Sequence, residues 1–328
     1  MSRHGAAILA PAGPDLTPWE RDFFRDADPW AFILFARNVA NPDQLRALTS
    51  SLRDAVGRDA IVMIDQEGGR VQRMRAPHWR EYLPPLDQAA LGGDADSFWM
   101  RGRLIAHELR AVGIDTNCGP VCDIADDATH PFLQNRCLGR DPATVIANAR
   151  ATAEGYLAGG VLPVLKHLPG HGRARVDSHL SLPVADITLA TAQTWDFAPF
   201  RALHDLPMGM TAHIVFPETG FKPATQNPAM ISLIRGEMQF AGLLMTDDIS
   251  MNALQGTVAE RTLAALNAGC DVVLHCNGKP DEMEAVATAA GLFTADAQVR
   301  ADAAIAARRS PQDVDIQALE AEFAAYFA

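Results

Sequence analysis

Ionisable residues follow three separate apolar runs of this sequence, and their types are suited to chemistry. Each run, IVMI, VLPVL or LLMT, has the composition of a short buried strand. The polar residues directly after these runs are Asp65, Lys166, His167, Asp247 and Asp248. Enzymes with a parallel β/α barrel collect their catalytic and binding groups at the ends of strands. We therefore expect these side chains to form an active site.

The segment from Lys166 to His179 holds three histidines, a lysine and an aspartate within fourteen residues. His167 and His171 are four residues apart, as in helical zinc motifs. The proline and glycine between them argue against a helix, and the glutamate of such motifs is missing. We therefore expect neither a metal nor an organic cofactor.

Lys166 permits a second interpretation, because a barrel lysine can form a Schiff base with a carbonyl substrate. Its histidine- and glycine-rich surroundings favour hydrogen bonding to a ligand instead. Further along, Asp177 lies two residues from His179, and such an aspartate can orient an imidazole and tune its proton affinity. Taken alone, that pair also fits an ordinary solvated loop.

The segment DQEGGRVQR, residues 65–73, places carboxylates and arginines around two glycines. The glycines allow a tight turn, and the flanking charged groups can hydrogen-bond vicinal hydroxyls. This composition favours a polyol ligand such as a sugar. The alternative is a charged turn on the surface.

Eight strand-like runs alternate with helix-like segments along the chain. The predicted strands cover residues 6–10, 31–35, 61–64, 114–117, 161–165, 207–211, 242–246 and 271–275. The predicted helices cover residues 18–25, 96–112, 142–157, 186–203, 228–240 and 258–268, with another that begins at Asn41 and Pro42. This order predicts an α/β fold of the TIM type, a closed (β/α)8 barrel. A doubly wound sheet also fits the alternation, but no G-x-G-x-x-G turn follows a strand.

The barrel prediction brings eight polar residues to one mouth: Asp65, Asp123, Lys166, His167, His213, Asp247, Asp248 and His275. Side chains alternate along a strand, so only one of Asp247 and Asp248 is expected to face the mouth. We expect a single domain spanning residues 1–328, with helices at the C-terminal end. The last of these helices is expected to begin at Ser310 and Pro311.

The composition excludes some classes of partner. With 28 basic and 40 acidic residues the net charge is −12, which disfavours nucleic acid binding. The five cysteines lie mostly in apolar contexts, so we expect them to be reduced and buried. No apolar run reaches the ~18 residues of a membrane span, and the N-terminal apolar stretch suits a strand better than a signal peptide. The protein is expected to be a cytoplasmic monomer.

Four motifs give the chain a resemblance to glycoside hydrolase family 3, specifically to its bacterial single-domain β-N-acetylhexosaminidases. The motifs are FILFARN (residues 32–38), DQEGGRVQR (65–73), KHLPGHG (166–172) followed by D-S-H (177–179), and TDDISM (246–251). Leu168 replaces the usual phenylalanine, and Cys137 and Leu138 replace a small residue and a phenylalanine. These apolar exchanges affect the expected fit of the substrate rather than the expected chemistry.

The resemblance implies a role for each matching residue. Asp247 corresponds to the nucleophile, and His179 to a histidine acid/base with Asp177 as its partner. The residues that correspond to sugar-binding positions are Asp65, Arg73, Arg136, Lys166 and His167. The implied reaction is retaining hydrolysis of non-reducing β-linked N-acetylglucosamine from muropeptide fragments during peptidoglycan recycling.

Three alternatives remain open at this point. Phosphate could replace water in the second step, which would make the protein a β-N-acetylglucosaminide phosphorylase. A catalytically silent sugar-binding barrel is a second alternative, although such a protein needs neither a nucleophile nor a proton donor. A lyase or aldolase that uses Lys166 is the third.

Overall fold

A computed structural model describes residues 4–176 and 181–327. The ten strands of these residues are β1 (Gly5–Leu9), β2 (Pro29–Leu34), β3 (Ile61–Ile64), β4 (Gln66–Gly68), β5 (Val71–Gln72), β6 (Thr116–Asn117), β7 (Leu162–Leu168), β8 (Met208–Thr211), β9 (Leu243–Met245) and β10 (Val273–His275). Eight of them form one parallel sheet in the order β10-β1-β2-β3-β6-β7-β8-β9, while β4 and β5 form a separate antiparallel hairpin.

The sheet closes on itself between its two outer strands, β9 and β10. Met245 forms a parallel bridge with Val272, and the Thr246 amide donates to the Val272 carbonyl at 3.1 Å. Strands β2 and β3 are buried along their whole length, as expected of parallel strands covered on both faces. The predicted TIM-type barrel is confirmed.

Helices surround the barrel and continue beyond its last strand. Those in the described ranges are α1 (Pro18–Ala27), α2 (Pro42–Val56), α3 (Pro85–Ala90), α4 (Ala95–Ala111), α5 (Pro131–Gln134), α6 (Pro142–Ala158), α7 (Leu189–Thr194), α8 (Ala198–Ala202), α9 (Pro228–Gly236), α10 (Val258–Ala268), α11 (Pro280–Ala290), α12 (Ala295–Ala306) and α13 (Ile316–Ala325). None of these helices combines the length and apolar character needed to cross a bilayer.

Local signals explain where many helices begin and end. Helix α10 begins after a capping box in which Thr257 and Glu260 bond each other's backbone amides. It ends at Gly269, whose φ of 113° favours glycine. Helix α2 has Asn41 as its N-cap and Gly57 as its C-cap, and its buried face includes Leu48.

The fifth predicted strand is longer than expected. Strand β7 continues through Lys166 and His167 to Leu168, because its backbone keeps its partners on both sides. The Cys122 amide donates to the Lys166 carbonyl at 2.6 Å, and the Ala212 amide donates to the Leu168 carbonyl at 2.7 Å. These polar residues are therefore part of the strand rather than of the loop after it.

The prediction of one helix over residues 186–203 is wrong. Two short helices, α7 and α8, replace it, and Thr188 caps the first of them. A continuous helix would place the ring of Pro199 against the carbonyl of Trp195 and lose the hydrogen bond between those residues.

The predicted start of the last helix, at Ser310 and Pro311, is also wrong. Helix α13 begins at Ile316, where the Asp315 side chain accepts from the Ala318 amide. The chain before it is held in a non-helical conformation, because the Gln312 amide donates to the carbonyl of Ala158 at the end of α6.

Candidate active site

A cavity of about 420 Å³ opens at the C-terminal ends of the barrel strands. Its charged and imidazole side chains are Asp65, Arg70, Arg73, Arg136, Lys166, His167, His171, Asp247 and Asp248. Apolar side chains, among them Phe35, Phe132 and Met251, complete the wall. A cavity of this size and polarity can enclose one small polar molecule.

Lys166 lies at the centre of an ion-pair network. It is 1% exposed, and its Nζ lies 2.9 Å from Asp65 Oδ1 and 2.5 Å from Glu67 Oε1. Arg73 Nη2 donates to the other oxygen of Asp65 at 3.1 Å. Burial alone lowers the pKa of Lys166, but the two carboxylates raise it above its ordinary value. Lys166 is therefore an ammonium group throughout the neutral range.

Asp65 is ionised for the complementary reason. Burial raises its pKa, but Lys166 and Arg73 together lower it well below the ordinary value of an aspartate. The carboxylate forms part of the cavity wall, so it can accept hydrogen bonds from a ligand that carries hydroxyl groups.

Arg136 reaches the cavity from the loop between β6 and α6, and a bidentate ion pair holds it there. Its Nε and Nη2 both donate to Glu67, each at 2.9 Å. Its Nη2 also lies 3.4 Å from His167 Nε2, and its guanidinium lies 5.2 Å from the centre of the Phe132 ring. The planar fork of an arginine fits a carboxylate with this geometry.

Asp123, which follows β6 and does not line the cavity, orients His167. His167 Nδ1 lies 2.7 Å from Asp123 Oδ2, and the other carboxylate oxygen accepts from the His171 amide at 2.7 Å. Burial raises the pKa of Asp123, but His167 lowers it below its ordinary value. This contact fixes the imidazole ring so that Nε2 points toward Arg136.

Asp247 presents a carboxylate to the cavity two residues after the end of β9. The amide of Asp248 donates to Asp247 Oδ1 at 2.8 Å. Burial raises the pKa of Asp247, but His167, His213, the Asp248 amide and Lys166 together outweigh that effect and lower it below its ordinary value. The group is consequently an anion with an available oxygen beside a polar cavity.

Asp248 has a different environment from Asp247, although it also lines the cavity. Its Oδ1 accepts from the amides of Ser250 and Cys276 at 3.0 and 3.2 Å, and its Oδ2 accepts from the Ser250 hydroxyl at 2.7 Å. The prediction that only one of the two aspartates faces the mouth is wrong. Because β9 ends at Met245, strand alternation no longer governs these two residues.

The remaining members of the predicted set lie behind the cavity or away from it. His213 is fully buried, and its Nε2 donates to the Asp248 carbonyl at 2.9 Å. His275 does not line the cavity, because its ring turns toward α11 and lies 3.1 Å from Glu282. The predicted pair Asp177 and His179 falls outside the described residues.

Sequence reasoning missed several residues of the site. Glu67 lies in the quoted DQEGGRVQR motif, and its position two residues from Asp65 could have suggested a shared role. Arg70 belongs to the same motif, and its guanidinium lies 4.7 Å from the centre of the Phe132 ring. Nothing in the sequence pattern indicated Phe132. Cys276 was expected to be buried, but it is half-buried and lines the cavity, while the other four cysteines are buried.

The arrangement has clear chemical capabilities. An ionised carboxylate beside a cavity can attack an electrophilic carbon such as an acetal centre. The carboxylate, ammonium and guanidinium groups around it can bind hydroxyls in a defined orientation. Within residues 4–176 and 181–327, no group of three or more His, Cys, Asp or Glu side chains is arranged to hold a metal ion.

This constellation in a TIM-type barrel fits a glycoside hydrolase, and comparisons with known proteins show that class and give its family. Residues 27–304 match the family described as glycosyl hydrolase family 3 N terminal domain. The chain is 37% identical over 288 residues to the beta-hexosaminidase of Bordetella avium, covering 84% of this chain and 81% of that protein. It is 38% identical over 275 residues to the beta-hexosaminidase of Methylococcus capsulatus, covering 81% and 80%. The chain therefore belongs to glycoside hydrolase family 3.

Solved structures agree with this assignment. The structure of NagZ from Neisseria gonorrhoeae in complex with N-trifluoroacetyl-D-glucosamine superposes with a TM-score of 0.88 at 30% identity, covering 99% of both chains. A family 3 β-N-acetylglucosaminidase from Paenibacillus superposes with a TM-score of 0.83 at 28% identity, covering 99% of this chain and 62% of that one.

Proposed function

We propose that this glycoside hydrolase is a retaining β-N-acetylhexosaminidase that removes non-reducing terminal β-linked N-acetylglucosamine. The relatives named beta-hexosaminidase support the activity, and the bound glucosamine derivative in the Neisseria protein supports the sugar. The cavity of about 420 Å³ also suits a single hexosamine unit.

The carboxylate of Asp247 in the wall of the cavity is the observation that carries this proposal. In the first step one of its oxygens attacks the anomeric carbon, and the bond to the leaving oxygen breaks. In the second step water attacks the same carbon and releases the carboxylate, so the configuration is retained. The Asp248 amide holds the other oxygen of Asp247 and leaves one oxygen available for the attack.

The sugar-binding roles belong to the ionic network around Lys166 in the same cavity. Asp65 and Lys166 are positioned to bind neighbouring hydroxyls, because a carboxylate accepts and an ammonium group donates. Arg73 and Arg136 supply further donors around the same cavity, and His167 adds an imidazole to its wall. Such groups fix the orientation of the ring relative to the nucleophile.

The proposed proton donor is His179, assisted by Asp177, and this assignment rests on the family resemblance alone. A histidine with an ordinary pKa near ~6.5 can protonate the leaving oxygen and later deprotonate water near neutral pH. The proposed mechanism needs no metal or organic cofactor.

The proposed physiological substrate is a muropeptide fragment in which N-acetylglucosamine is linked to anhydro-N-acetylmuramic acid. The enzyme would act on it as a cytoplasmic monomer during peptidoglycan recycling. Support for this finer assignment comes from the motifs shared with the single-domain bacterial members of the family.

Hydrolysis of an aryl β-N-acetylglucosaminide by the wild-type protein tests the proposal. We expect release of β-N-acetylglucosamine as the first product, observed by NMR before mutarotation, at the same rate with or without phosphate. Formation of the sugar 1-phosphate would identify a phosphorylase, and absence of turnover would support a sugar-binding barrel. Release of the α-anomer first would contradict the retaining mechanism.

A further inference from the structure

We propose that Glu67 is a positioning residue for sugar binding, which holds Lys166 and Arg136 in the orientation in which they contact the sugar. This inference rests on the proposed function, since the sugar-binding roles of Lys166 and Arg136 are part of that proposal. Glu67 itself is not part of the cavity wall, whereas Lys166 and Arg136 are.

One carboxylate joins the two cations through three short contacts. Glu67 Oε1 lies 2.5 Å from Lys166 Nζ and 2.9 Å from Arg136 Nη2. Glu67 Oε2 accepts from Arg136 Nε at 2.9 Å. Glu67 is 5% exposed, so these contacts lie away from bulk water, where charge-assisted hydrogen bonds are strongest.

The backbone around Glu67 is itself held in place, which fixes the point from which the Glu67 side chain extends. Arg101 Nη2 donates to the Glu67 carbonyl at 2.5 Å, and Arg101 Nη1 donates to Gln88 Oε1 at 2.6 Å. The next residue, Gly68, has a φ of 104°, and a Cβ there would lie 2.0 Å from Arg101 Nη2. Only glycine allows the arginine to approach the turn this closely.

Glu67 also determines the charge balance around Lys166. The charged and titratable groups that interact with Lys166 are the carboxylates of Asp65, Glu67 and Asp247, the guanidinium of Arg136, the thiol of Cys118 and the phenol of Tyr156. Burial and Arg136 lower the pKa of Lys166, and the carboxylates of Asp65 and Glu67 raise it. Without the Glu67 charge, Lys166 would lose its 2.5 Å ion pair and keep the one with Asp65 at 2.9 Å.

The substitution Glu67→Gln tests this role, because it keeps the shape and removes the charge. Calorimetric titration with N-acetylglucosamine at pH 7 should show binding weakened about tenfold or more relative to the wild type. The KM for the aryl glycoside should rise by a similar factor, while kcat should fall less. A Kd within twofold of the wild-type value would overturn the proposal.

The pH dependence of binding separates positioning from a merely structural role. Lys166 binds the sugar as an ammonium group, and removal of the Glu67 charge lowers its pKa. The ammonium form should therefore be lost at a lower pH in Glu67→Gln than in the wild type, so the affinity of the variant should begin to fall at a lower pH. An affinity of Glu67→Gln that begins to fall at the same pH as that of the wild type, or at a higher pH, would contradict the proposal.

Two further variants complete the experiment. Glu67→Asp keeps the charge but shortens the side chain, so it should bind the sugar more weakly than the wild type, with the pH dependence of the wild type. Wild-type affinity in Glu67→Asp would count against an orienting role. Glu154→Gln, the same chemical change at an exposed site on α6, should match the wild type throughout.

A wild-type protein that does not bind N-acetylglucosamine would contradict the proposed function, whereas an unaffected Glu67→Gln would contradict this inference alone.

Discussion

Two consecutive aspartates, Asp247 and Asp248, line the same cavity but have different hydrogen-bond environments. Asp247 accepts one amide hydrogen bond, at 2.8 Å, on one of its oxygens. Asp248 accepts three hydrogen bonds, from Ser250 and Cys276, and thereby connects the turn after β9 to the end of β10. A carboxylate occupied in this way is suited to stabilising the loop, whereas Asp247 has an oxygen available for a ligand.

Asp248→Asn should consequently affect stability more than chemistry. The asparagine retains an oxygen that can accept from the backbone but loses the charge and the acceptor for the Ser250 hydroxyl. We expect a loss of about 1 kcal/mol in the free energy of unfolding and less than about a tenfold decrease in kcat. Urea denaturation and the aryl glycoside assay would measure these effects. A loss of activity as large as that of an Asp247 variant would contradict the distinction.

At the residue scale, the charged groups at strand ends were predictable because a parallel barrel brings those ends together. Asp65, Lys166, His167 and Asp247 could be identified in this way. Arg136 could not, since it comes from a long loop after β6, and only the family resemblance indicated it. His275 shows the limit of the rule, because its side chain turns toward Glu282 instead of the cavity.

At the scale of elements, an irregularity in β7 helps to explain why two consecutive residues both line the cavity. The pairing of β7 with β8 shifts in register between Lys166 and Leu168. Regular alternation would point Lys166 and His167 to opposite faces, and an irregularity of this kind redirects a side chain. The sequence predicted the strand but not its register, because register depends on the partner strand.

Glu108 of α4 holds the segment that follows the β4–β5 hairpin, and its pKa is raised. Glu108 accepts from the Arg80 amide at 2.9 Å and from the Tyr82 hydroxyl at 3.3 Å. Arg80 also pairs with Glu320 of α13 at 3.1 Å. Burial, the largest effect, raises the pKa of Glu108 to about 7. The stability contributed by the protonated form is therefore complete below the ordinary glutamate pKa and lost as the pH rises through about 7.

Glu108→Gln should mimic the protonated form at every pH. We expect its Tm to match that of the wild type near pH 5 and to exceed it by about 2 °C at pH 8.5. Differential scanning fluorimetry at both pH values would measure the difference. The exposed Glu154→Gln serves as the matched control, and a constant difference between Glu108→Gln and the wild type would contradict the assigned pKa.

At the scale of the whole molecule, we propose that residues 1–328 act as a single domain in which the C-terminal helices support the barrel. In α13, Leu319 and Phe323 are buried, and the Phe323 ring lies 6.4 Å from that of Tyr82. From α12, Arg300 pairs with Asp271, just before β10, at 2.9 Å. These contacts connect the last helices to the barrel and to the segment that follows the β4–β5 hairpin.

A single domain should unfold in one cooperative transition. Calorimetry should give one peak whose calorimetric and van't Hoff enthalpies agree, and saturating N-acetylglucosamine should move the whole peak to higher temperature. Two separate peaks, only one of which responds to the sugar, would contradict a single unit.

The architecture was largely predictable, because eight apolar runs alternating with helical segments have few other solutions. The wrongly predicted element bounds occur where a proline, a helix cap or a side-chain hydrogen bond outweighs the hydrophobic periodicity. Pro199 divides one predicted helix into two, and Asp315 rather than Ser310 begins the last helix. In the fourth predicted strand, Asp115 uses its side chain to accept from the Val62 amide, and only Thr116–Asn117 remain as strand.

The role of Asp247 as the nucleophile is the central claim, and the rate of aryl β-N-acetylglucosaminide hydrolysis by Asp247→Ala tests it most directly. The loss of a covalent catalyst predicts a decrease in kcat of about 10³-fold or more, in a variant that still folds and still binds N-acetylglucosamine. Hydrolysis by Asp247→Ala at a rate close to that of the wild type would contradict the assignment.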